Sequence, residues 1–202
     1  MRRGKPLGED NDERRKLTRK LIHMIEHIKV PQDRIGVIIG VEGRIKEILE
    51  NKSGASIDVD SESGTVTIEG EDAVKALRAS EVIKAIARGF SPEKALKLLD
   101  NEDLILDLID LSKVGDSPAD LTRIKGRIIG RGGKTREIME SMTGARISVY
   151  GKTISIIGDG DQITSVRAAI DMLVDGAPHG AVYGYLERRR RELKQSRFDS
   201  IE

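Results

Sequence analysis

The stretch IIGRGGKTREI, residues 128–138, repeats a phrase that occurs earlier in the chain as IIGVEGRIKEI, residues 38–48. The two copies align at a constant separation of 90 residues as far as Val59 and Val149. Beyond these valines the separation falls to 88, because SESG in the first copy shortens to GK while TVTIEG is matched by TISIIG. A hairpin turn that changes length between two retained strands explains the shift. The chain therefore contains an internal repeat.

Hydrophobic spacing within each copy predicts the same order of elements, β-α-α-β-β-α. In the first copy these are expected at 24–30, 31–38, 44–54, 55–60, 65–70 and 71–88. In the second copy they are expected at 104–111, 119–129, 134–142, 145–150, 152–157 and 161–174. Short alternating strands form a sheet whose apolar face must be covered by helices. The sequence therefore predicts an α+β fold with two domains, each a three-stranded sheet backed by helices.

Four segments follow from this reading. Residues 1–20 hold eight basic and four acidic side chains with almost nothing apolar, which is typical of a disordered tail. The first domain is expected at 21–90 and a connecting helix at 91–102. The second domain is expected at 103–202, and it ends in a C-terminal helix with a basic stripe.

The connecting helix is predicted from the stretch GFSPEKALKLLDNED. Ser91 suits the N-cap position and Pro92 the first helical position, because proline has no backbone N–H to lose there. The apolar face of this helix is expected to contain Ala95, Leu96 and Leu99.

Composition excludes several classes of protein. The net charge of +1 indicates no partner by itself, and the absence of cysteine excludes disulfides and thiolate chemistry. Only 2% of residues are aromatic, which argues against a stacking platform for single-stranded nucleic acid. The three histidines suggest no metal site, no cofactor is expected, and no apolar run is long enough to span a membrane. We expect a cytoplasmic protein, and its 34% of charged residues is typical of a thermophile.

The glycines at 130–133 do not belong to a nucleotide-binding loop. A P-loop needs G-x-x-x-x-G-K-[ST] after a buried strand, but the position five residues before Gly133 is Ile128, and the preceding segment has helical spacing. A dinucleotide fingerprint fails on spacing as well. The alternative is a loop between two helices whose backbone approaches a phosphate chain, because glycine permits close contact and a helix N-terminus attracts anions.

A repeated I-I-G-x-x-G loop between two helices, followed by two strands and a helix, resembles the KH domain of RNA-binding proteins. The β-α-α-β-β-α order is similar to the type I arrangement. KH domains hold about four single-stranded nucleotides with their GxxG loop and need no aromatic platform. The resemblance therefore implies two tandem type I KH domains that bind single-stranded RNA, with no DNA expected.

The two glycine loops differ in charge. The segment 121–136 holds six basic residues and no acid, whereas 32–47 holds three basic and three acidic residues. Glu42 lies inside the first loop, and at roughly 5 Å and an effective dielectric of about 20 it would repel a phosphate by on the order of 3 kcal/mol before screening. The second loop is therefore predicted to be the main RNA-binding loop. The first is a degraded loop, a protein-binding surface or a turn kept only to pack two helices.

The candidate site residues follow from this interpretation. In the second domain they are predicted to bind RNA: Arg127, Ile128, Gly130, Arg131, Gly132, Gly133, Lys134, Arg146, Arg188 and Arg189. Ile128 is expected to contact bases or to lie in the core, and the four cations from Arg188 cannot all share one helix face. In the first domain the secondary RNA- or protein-binding loop is predicted to consist of Gly40, Val41, Glu42, Gly43 and Arg44. No catalytic residue is predicted.

The elements GRIIGRGGKTREIME and GAVYGYLERRRREL, with GF at 89–90, resemble the two-KH ribosome-assembly proteins of archaea and eukaryotes. That resemblance covers about residues 24–195. It implies a non-catalytic factor that holds the 3′ region of small-subunit pre-rRNA. The implied partners are the PIN-domain endonuclease that trims this rRNA and the rRNA dimethylation machinery. Val41 and Glu42 depart from the basic first loop common in that family.

Two other functions remain open on the sequence alone. The chain could be a KH subunit that guides a ribonuclease to general RNA 3′ ends. It could also be a scaffold that uses both domains for protein contact. Salt dependence separates a binder from a scaffold, because RNA binding weakens steeply as counterions compete.

Overall fold

The computed structural model describes residues 24–115 and 117–199, with side chains described as far as 196. The predicted tail at 1–20 lies outside the described residues. The chain forms two compact units that divide between Lys84 and Ala85, inside a helix. Residues 85–90 fall in the second of these units, where Ser148 Oγ donates to the Arg88 carbonyl at 3.0 Å, and the domain limit at 90 stays a prediction.

The first unit has the predicted order of elements. They are β1 Met24–Lys29, α1 Gln32–Ile39, α2 Arg44–Ser53, β2 Ser56–Asp60, β3 Thr65–Gly70 and α3 Ala73–Ala87. The three strands form an antiparallel sheet in the order β1-β3-β2. Alternation decides which residues face the helices: Ile57 pairs with Ile68, and both are buried.

The second unit repeats this order and adds a helix at its end. Its elements are α4 Pro92–Ala95, α5 Lys97–Asp100, β4 Ile105–Asp110, α6 Pro118–Ile129, α7 Lys134–Thr143, β5 Arg146–Tyr150, β6 Thr153–Gly158, α8 Gly160–Val174 and α9 His179–Asp199. The sheet order is β4-β6-β5. The core contains Ile147, Ile154 and Ile156 from the sheet with Val182 and Leu186 from α9, so the added helix belongs to this unit. The predicted α+β fold class is confirmed.

The connecting helix differs from its prediction. It is interrupted at Leu96 into α4 and α5, so the buried residues are Ala95 and Leu98 rather than Ala95, Leu96 and Leu99. Leu98 follows Ala95 at the helical interval of three residues, whereas Leu96 and Leu99 are only partly buried. Ser91 occupies the N-cap position, but its side chain makes no cap hydrogen bond. Its hydroxyl bonds to the Glu93 carboxylate instead, which lowers the pKa of Glu93.

The helix that follows each glycine loop is tied to the next strand by the same two contacts. Glu50 Oε1 accepts the Ile57 N–H at 2.8 Å, and Glu140 Oε1 accepts the Ile147 N–H at 2.7 Å. At the helix ends, the hydroxyls of Ser53 and Thr143 each donate back one turn and accept the N–H of the alanine two residues on. Repeated contacts of this kind fix the direction of the helix and, with it, the position of the loop at its start.

No helix in the part of the chain that the structure describes is long and apolar enough to cross a membrane.

Candidate nucleic-acid interface

The second glycine loop, residues 130–133, turns the chain sharply between α6 and α7. Gly130, Gly132 and Gly133 all have positive φ, at 73°, 59° and 84°. The Gly130 N–H donates to the Gly126 carbonyl at 2.9 Å, and the Gly133 N–H donates to the Gly130 carbonyl at 3.2 Å. Side chains other than glycine rarely adopt these angles, so the sequence Gly-Arg-Gly-Gly suits this backbone.

Gly130 also permits a close approach between the loop and α7. A Cβ at this position would lie 2.7 Å from the backbone nitrogen of Thr135, which is too short to relieve by moving a side chain. Around Gly132, by contrast, a Cβ would meet nothing within 4 Å. The first glycine is therefore needed for packing, while the third position is open to the surroundings.

The backbone at the start of α7 is suited to an anion. Its N-cap is Gly133, which offers no side-chain cap. The first N–H groups of a helix and its dipole favour negative charge at this end. Arg131 and Lys134 are exposed on either side, and neither has a hydrogen-bond or ion-pair partner among the described residues. The loop therefore combines a positive helix end with two available cations.

Three of the other four cations in the stretch 121–136 are engaged within the protein, whereas the Nε of the fourth, Arg136, is buried without a hydrogen-bond partner. Arg123 forms hydrogen bonds of 2.9 and 2.7 Å with Asp120, an acid that lies just outside the basic stretch identified in the sequence. Lys125 Nζ donates to the Gly151 carbonyl at 3.2 Å. The count of six basic residues therefore overstates the charge available to a ligand.

Arg127 holds α6 against the segment that leads into α9. Its Nε donates to the Leu173 carbonyl at 3.0 Å and its Nη2 donates to the Ala177 carbonyl at 2.5 Å. His179 Nε2 lies 3.0 Å from the carbonyl oxygen of Arg127. The guanidinium thus positions the start of α9 beside the glycine loop, although Arg127 still lines the groove there.

The start of α9 contributes two rings to the site that the sequence reading did not include. Tyr183 donates its hydroxyl hydrogen to Thr135 Oγ1 at 3.2 Å, and the rings of His179 and Tyr183 lie 6.3 Å apart at a 52° tilt. Their spacing of four residues at the start of a helix places them on one face. The groove they complete has a volume of about 420 Å³, and its lining includes Arg127, Gly130, Arg131, Lys134, His179 and Tyr183.

The structure separates the remaining predicted residues. Ile128 is 0% exposed and belongs to the core, so the prediction that it contacts bases is wrong for this conformation; it lies on the side of α6 that faces the sheet. Arg146 begins the edge strand β5 and is half-buried. Arg188 is exposed, whereas Arg189 forms ion pairs with Asp161 at 3.7 Å and Glu192 at 3.5 Å.

The first glycine loop, residues 40–43, has the same backbone with different side chains. Gly40 has φ 75° and ψ 175°, close to the 73° and 174° of Gly130. Glu42 takes the place of Gly132 and has φ 53°, which makes it the one non-glycine residue with positive φ in the described chain. The left-handed conformation costs a side chain such as glutamate about 1 kcal/mol.

The side chains of the first loop neutralise one another. Glu42 Oε2 and Arg44 Nη2 lie 3.4 Å apart, so the cation at the start of α2 already has an acidic partner. Val41, in the place of Arg131, is 78% exposed. This loop offers a phosphate neither a free cation nor an uncharged third position.

The described residues contain no group of three or more histidine or acidic side chains able to hold a metal ion.

A β-α-α-β-β-α unit whose first two helices are joined by a Gly-x-x-Gly loop is a type I KH domain, and the chain has two such units. Comparison with family profiles agrees with this. Residues 105–191 match the family described as eukaryotic type KH-domain (KH-domain type I), in the form of the second KH domain of PNO1. Residues 25–85 match the KH domain family.

Relatives of known sequence extend the likeness over both units. A KH domain-containing protein of Methanocaldococcus jannaschii is 42% identical over 179 residues, which cover 87% of this chain and 78% of that protein. The RNA-binding protein PNO1 of Oryzias latipes is 36% identical over 117 residues. That match covers 57% of this chain, which spans about half (48%) of the length of that PNO1.

Solved structures show the same fold at similar identity. Dim2p from Pyrococcus horikoshii has a TM-score of 0.77 and 46% identity, over 82% of this chain and 99% of that one. A chain of the a/eIF2alpha–aDim2p–rRNA complex from the same organism has a TM-score of 0.80 and 45% identity, over 86% and 97% of the two chains. The protein described here belongs to the archaeal Dim2/PNO1 family of two-KH-domain proteins.

Proposed function

We propose that this protein is a non-catalytic RNA-binding factor of ribosome assembly that holds the single-stranded 3′ region of small-subunit (pre-)rRNA. The second glycine loop carries the binding. The observation on which this rests is the difference between the loops: at one backbone geometry, only the second has glycine at its third position and two unpaired cations. Relatives named pre-rRNA-processing proteins, and a related chain solved in a complex with rRNA, support rRNA as the ligand.

The binding mode follows from the geometry of the loop. The phosphate chain lies on the backbone of Gly130, Gly132 and Gly133, where no Cβ intervenes, and in front of the uncapped start of α7. Arg131 and Lys134 pair with neighbouring phosphates, which positions the strand without reading its sequence. Bases are read by hydrogen bonds to their edges, for which Arg146 on β5 is a candidate.

Such a factor brings its RNA to other proteins. One KH groove holds about four nucleotides, which are too few to specify one site among a cell's RNAs. Specificity for one site must therefore come from a second contact. We propose the PIN-domain processing nuclease and the rRNA dimethylation machinery as partners, in the cytoplasm. The first glycine loop is suited to protein contact rather than RNA, because Val41 is exposed and Arg44 is paired with Glu42.

The test compares two variants at one position. Gly132→Asp places a carboxylate beside the bound phosphate, while Gly132→Asn has the same shape, tolerates the same φ and adds no charge. The aspartate variant should bind a single-stranded oligomer of the rRNA 3′ region about tenfold more weakly or worse, and the asparagine variant should lose much less. Fluorescence anisotropy measures both.

Three results separate the possibilities. If Gly132→Asp binds as tightly as the wild type, the second loop is not the binding loop. If the wild type binds a scrambled oligomer of equal length equally well, the rRNA preference is wrong and a general guide for a ribonuclease is favoured. Affinity that does not respond to salt favours a protein scaffold.

A further inference from the structure

One face of α9 carries four polar side chains that extend from the glycine loop toward the end of the helix. His179, Tyr183, Arg190 and Lys194 follow one another at intervals of four, seven and four residues. At about 100° per residue they fall within about 60° of one another around the helix. The charged residues Arg188 and Arg191 lie outside this sector. The four side chains therefore form one stripe, which we call the α9 stripe.

The α9 stripe runs beside α7 in the same direction. At the start of both helices, the Tyr183 hydroxyl bonds to Thr135. At the other end, Arg190 and Lys194 line a cavity together with Met142 and Gly144. At about 1.5 Å per residue, Tyr183 and Lys194 are about 17 Å apart along the axis. The site at the glycine loop and a second cavity thus lie toward opposite ends of the line along which α7 and α9 pack.

The second cavity has a volume of about 500 Å³ and lies between the end of α7, the start of α8 and the second half of α9. Its lining includes Met142, Asp161, Leu186, Arg190, Leu193 and Lys194. Arg190 and Lys194 are exposed and have no ion-pair partner among the described residues. The acid in this lining, Asp161, faces Arg189 at 3.7 Å. The cavity therefore offers two unpaired cations among polar and apolar side chains.

We propose that the α9 stripe is a second RNA-binding track, along which the strand that leaves the glycine loop continues between α7 and α9. His179 and Tyr183 flank the first nucleotide beyond the loop, and Arg190 and Lys194 hold phosphates at the second cavity. This inference rests on the proposed function. Two features favour RNA over protein here: His179 and Tyr183 line the glycine-loop groove itself, and the free charges on the stripe are cations.

The track explains how a domain with few aromatic residues contacts more nucleotides than its glycine loop alone can hold. His179 and Tyr183 are tilted by 52° rather than stacked face to face, so neither ring covers the face of the other. Bases of any identity stack on such faces, and cations follow the backbone, so the track adds affinity more than sequence preference.

The test uses two double variants with the same change in net charge. Arg190→Gln with Lys194→Gln removes the cations of the stripe, and Lys97→Gln with Lys113→Gln removes two exposed cations of the same unit that lie outside α9. Each is titrated with an oligomer of about four nucleotides, which fits the loop alone, and one of about twelve that extends beyond it. The stripe variant should bind the long oligomer about tenfold more weakly, with a salt slope lower by about 1.4, and the short one normally. The control should match the wild type on both.

The other outcomes overturn the track in distinguishable ways. Equal losses in the two double variants indicate general attraction by net charge. Equal losses on the short and long oligomers indicate an effect on the glycine loop itself. Equal affinity of the wild type for both oligomers contradicts the track but not the proposed function. That result favours a protein partner at the second cavity. A wild type that binds neither oligomer contradicts the proposed function as well. Thermal melting of each variant confirms that it is folded.

Discussion

The two glycine loops of this protein have nearly the same backbone and different chemistry. At the third position φ and ψ are 53° and 27° for Glu42 and 59° and 23° for Gly132. A glutamate held in a glycine conformation shows that the surrounding helices, and not the residue itself, decide the angles. The fold thus fixes where the loop lies, and three side chains decide whether it can receive a phosphate.

The loops also differ in the side chain that packs against their first glycine. Gly40 packs against the apolar side chain of Ile45, whereas Gly130 packs against Thr135, whose hydroxyl is bonded to Tyr183. In the second unit the loop is therefore connected to a further helix, α9. The added helix makes the difference between the units larger than the loop sequences suggest.

The largest effect is expected where the two loops are alike. Gly130→Ala and Gly40→Ala should each lower the free energy of unfolding by about 3 kcal/mol, from an unfavourable φ together with a steric clash. The added Cβ would lie 2.7 Å from the Thr135 nitrogen in one loop and 2.9 Å from the Ile45 nitrogen in the other. Urea denaturation of the full chain measures both.

The matched controls are glycines of the preceding helices. At Gly36 and Gly126 a Cβ would meet nothing within 4 Å and φ is not positive, so alanine should stabilise the helix by about 0.5 kcal/mol. If Gly130→Ala is harmless while Gly40→Ala is not, the first glycine is not a shared packing requirement.

A smaller effect concerns an ion pair that both units form between the first strand of the sheet and the helix that follows the third strand. Lys84 Nζ lies 2.5 Å from Glu26 Oε1, and Arg167 donates two hydrogen bonds of 2.6 Å to Asp107. Partial burial raises the pKa of Glu26, but hydrogen bonds from Lys84 and Ser80 and the charge of Lys84 together outweigh it and leave the pKa below its ordinary value. Glu26→Gln should cost about 1 kcal/mol of stability at pH 7.

The sign of the pH dependence follows from the lowered pKa. The contribution of Glu26 is fully present above its unfolded pKa of about 4.3 and is lost as the pH falls through the lower folded pKa. Unfolding curves of wild type and Glu26→Gln should therefore converge at acid pH. As a control, changing the exposed acid Glu71 to glutamine should leave the free energy of unfolding unchanged. If Glu26→Gln remains less stable than the wild type at low pH, the contribution of Glu26 is not ionic.

The smallest effect is expected from exchanging the loops. Val41→Arg together with Glu42→Gly gives the first loop the side chains of the second and frees Arg44 from its acidic partner. Affinity for single-stranded RNA should rise about threefold, the scale of one or two exposed charge contacts. Val41→Arg alone should gain little, because Glu42 remains. If the double change gains nothing, features of the first unit outside its loop prevent binding.

Local patterns in the sequence were sufficient for the fold. The repeat aligned the two loops residue by residue, and alternation at Ile57 or Ile147 is a local property that the sheet confirms. The alignment also predicted that Glu42 and Gly132 are equivalent, and the two residues do occupy equivalent backbone positions. In the short connecting segment the predicted apolar face included Leu96 and Leu99, which are partly buried, and missed the buried Leu98.

The partners of long polar side chains were beyond the sequence. Arg127 was predicted to bind RNA, and in the structure it donates to backbone carbonyls 46 and 50 residues away. Every residue has such a carbonyl, so the sequence does not show which ones accept a hydrogen bond. The aromatic content of 2% did not predict that His179 and Tyr183 lie together beside the glycine loop, because a composition does not say where residues are in the fold. The short spacing of these two residues was the available signal.

The glutamate at φ 53° also bears on how such a protein can change over generations. GGA and GGG codons for glycine differ from glutamate codons at a single base, so one point mutation can place a carboxylate at the third position of such a loop. Its cost of about 1 kcal/mol is small against the stability of a domain, so selection for folding alone would not remove it. A glycine loop suited to phosphate can thus acquire a carboxylate by a step that folding tolerates, while the domain survives for whatever else it contacts.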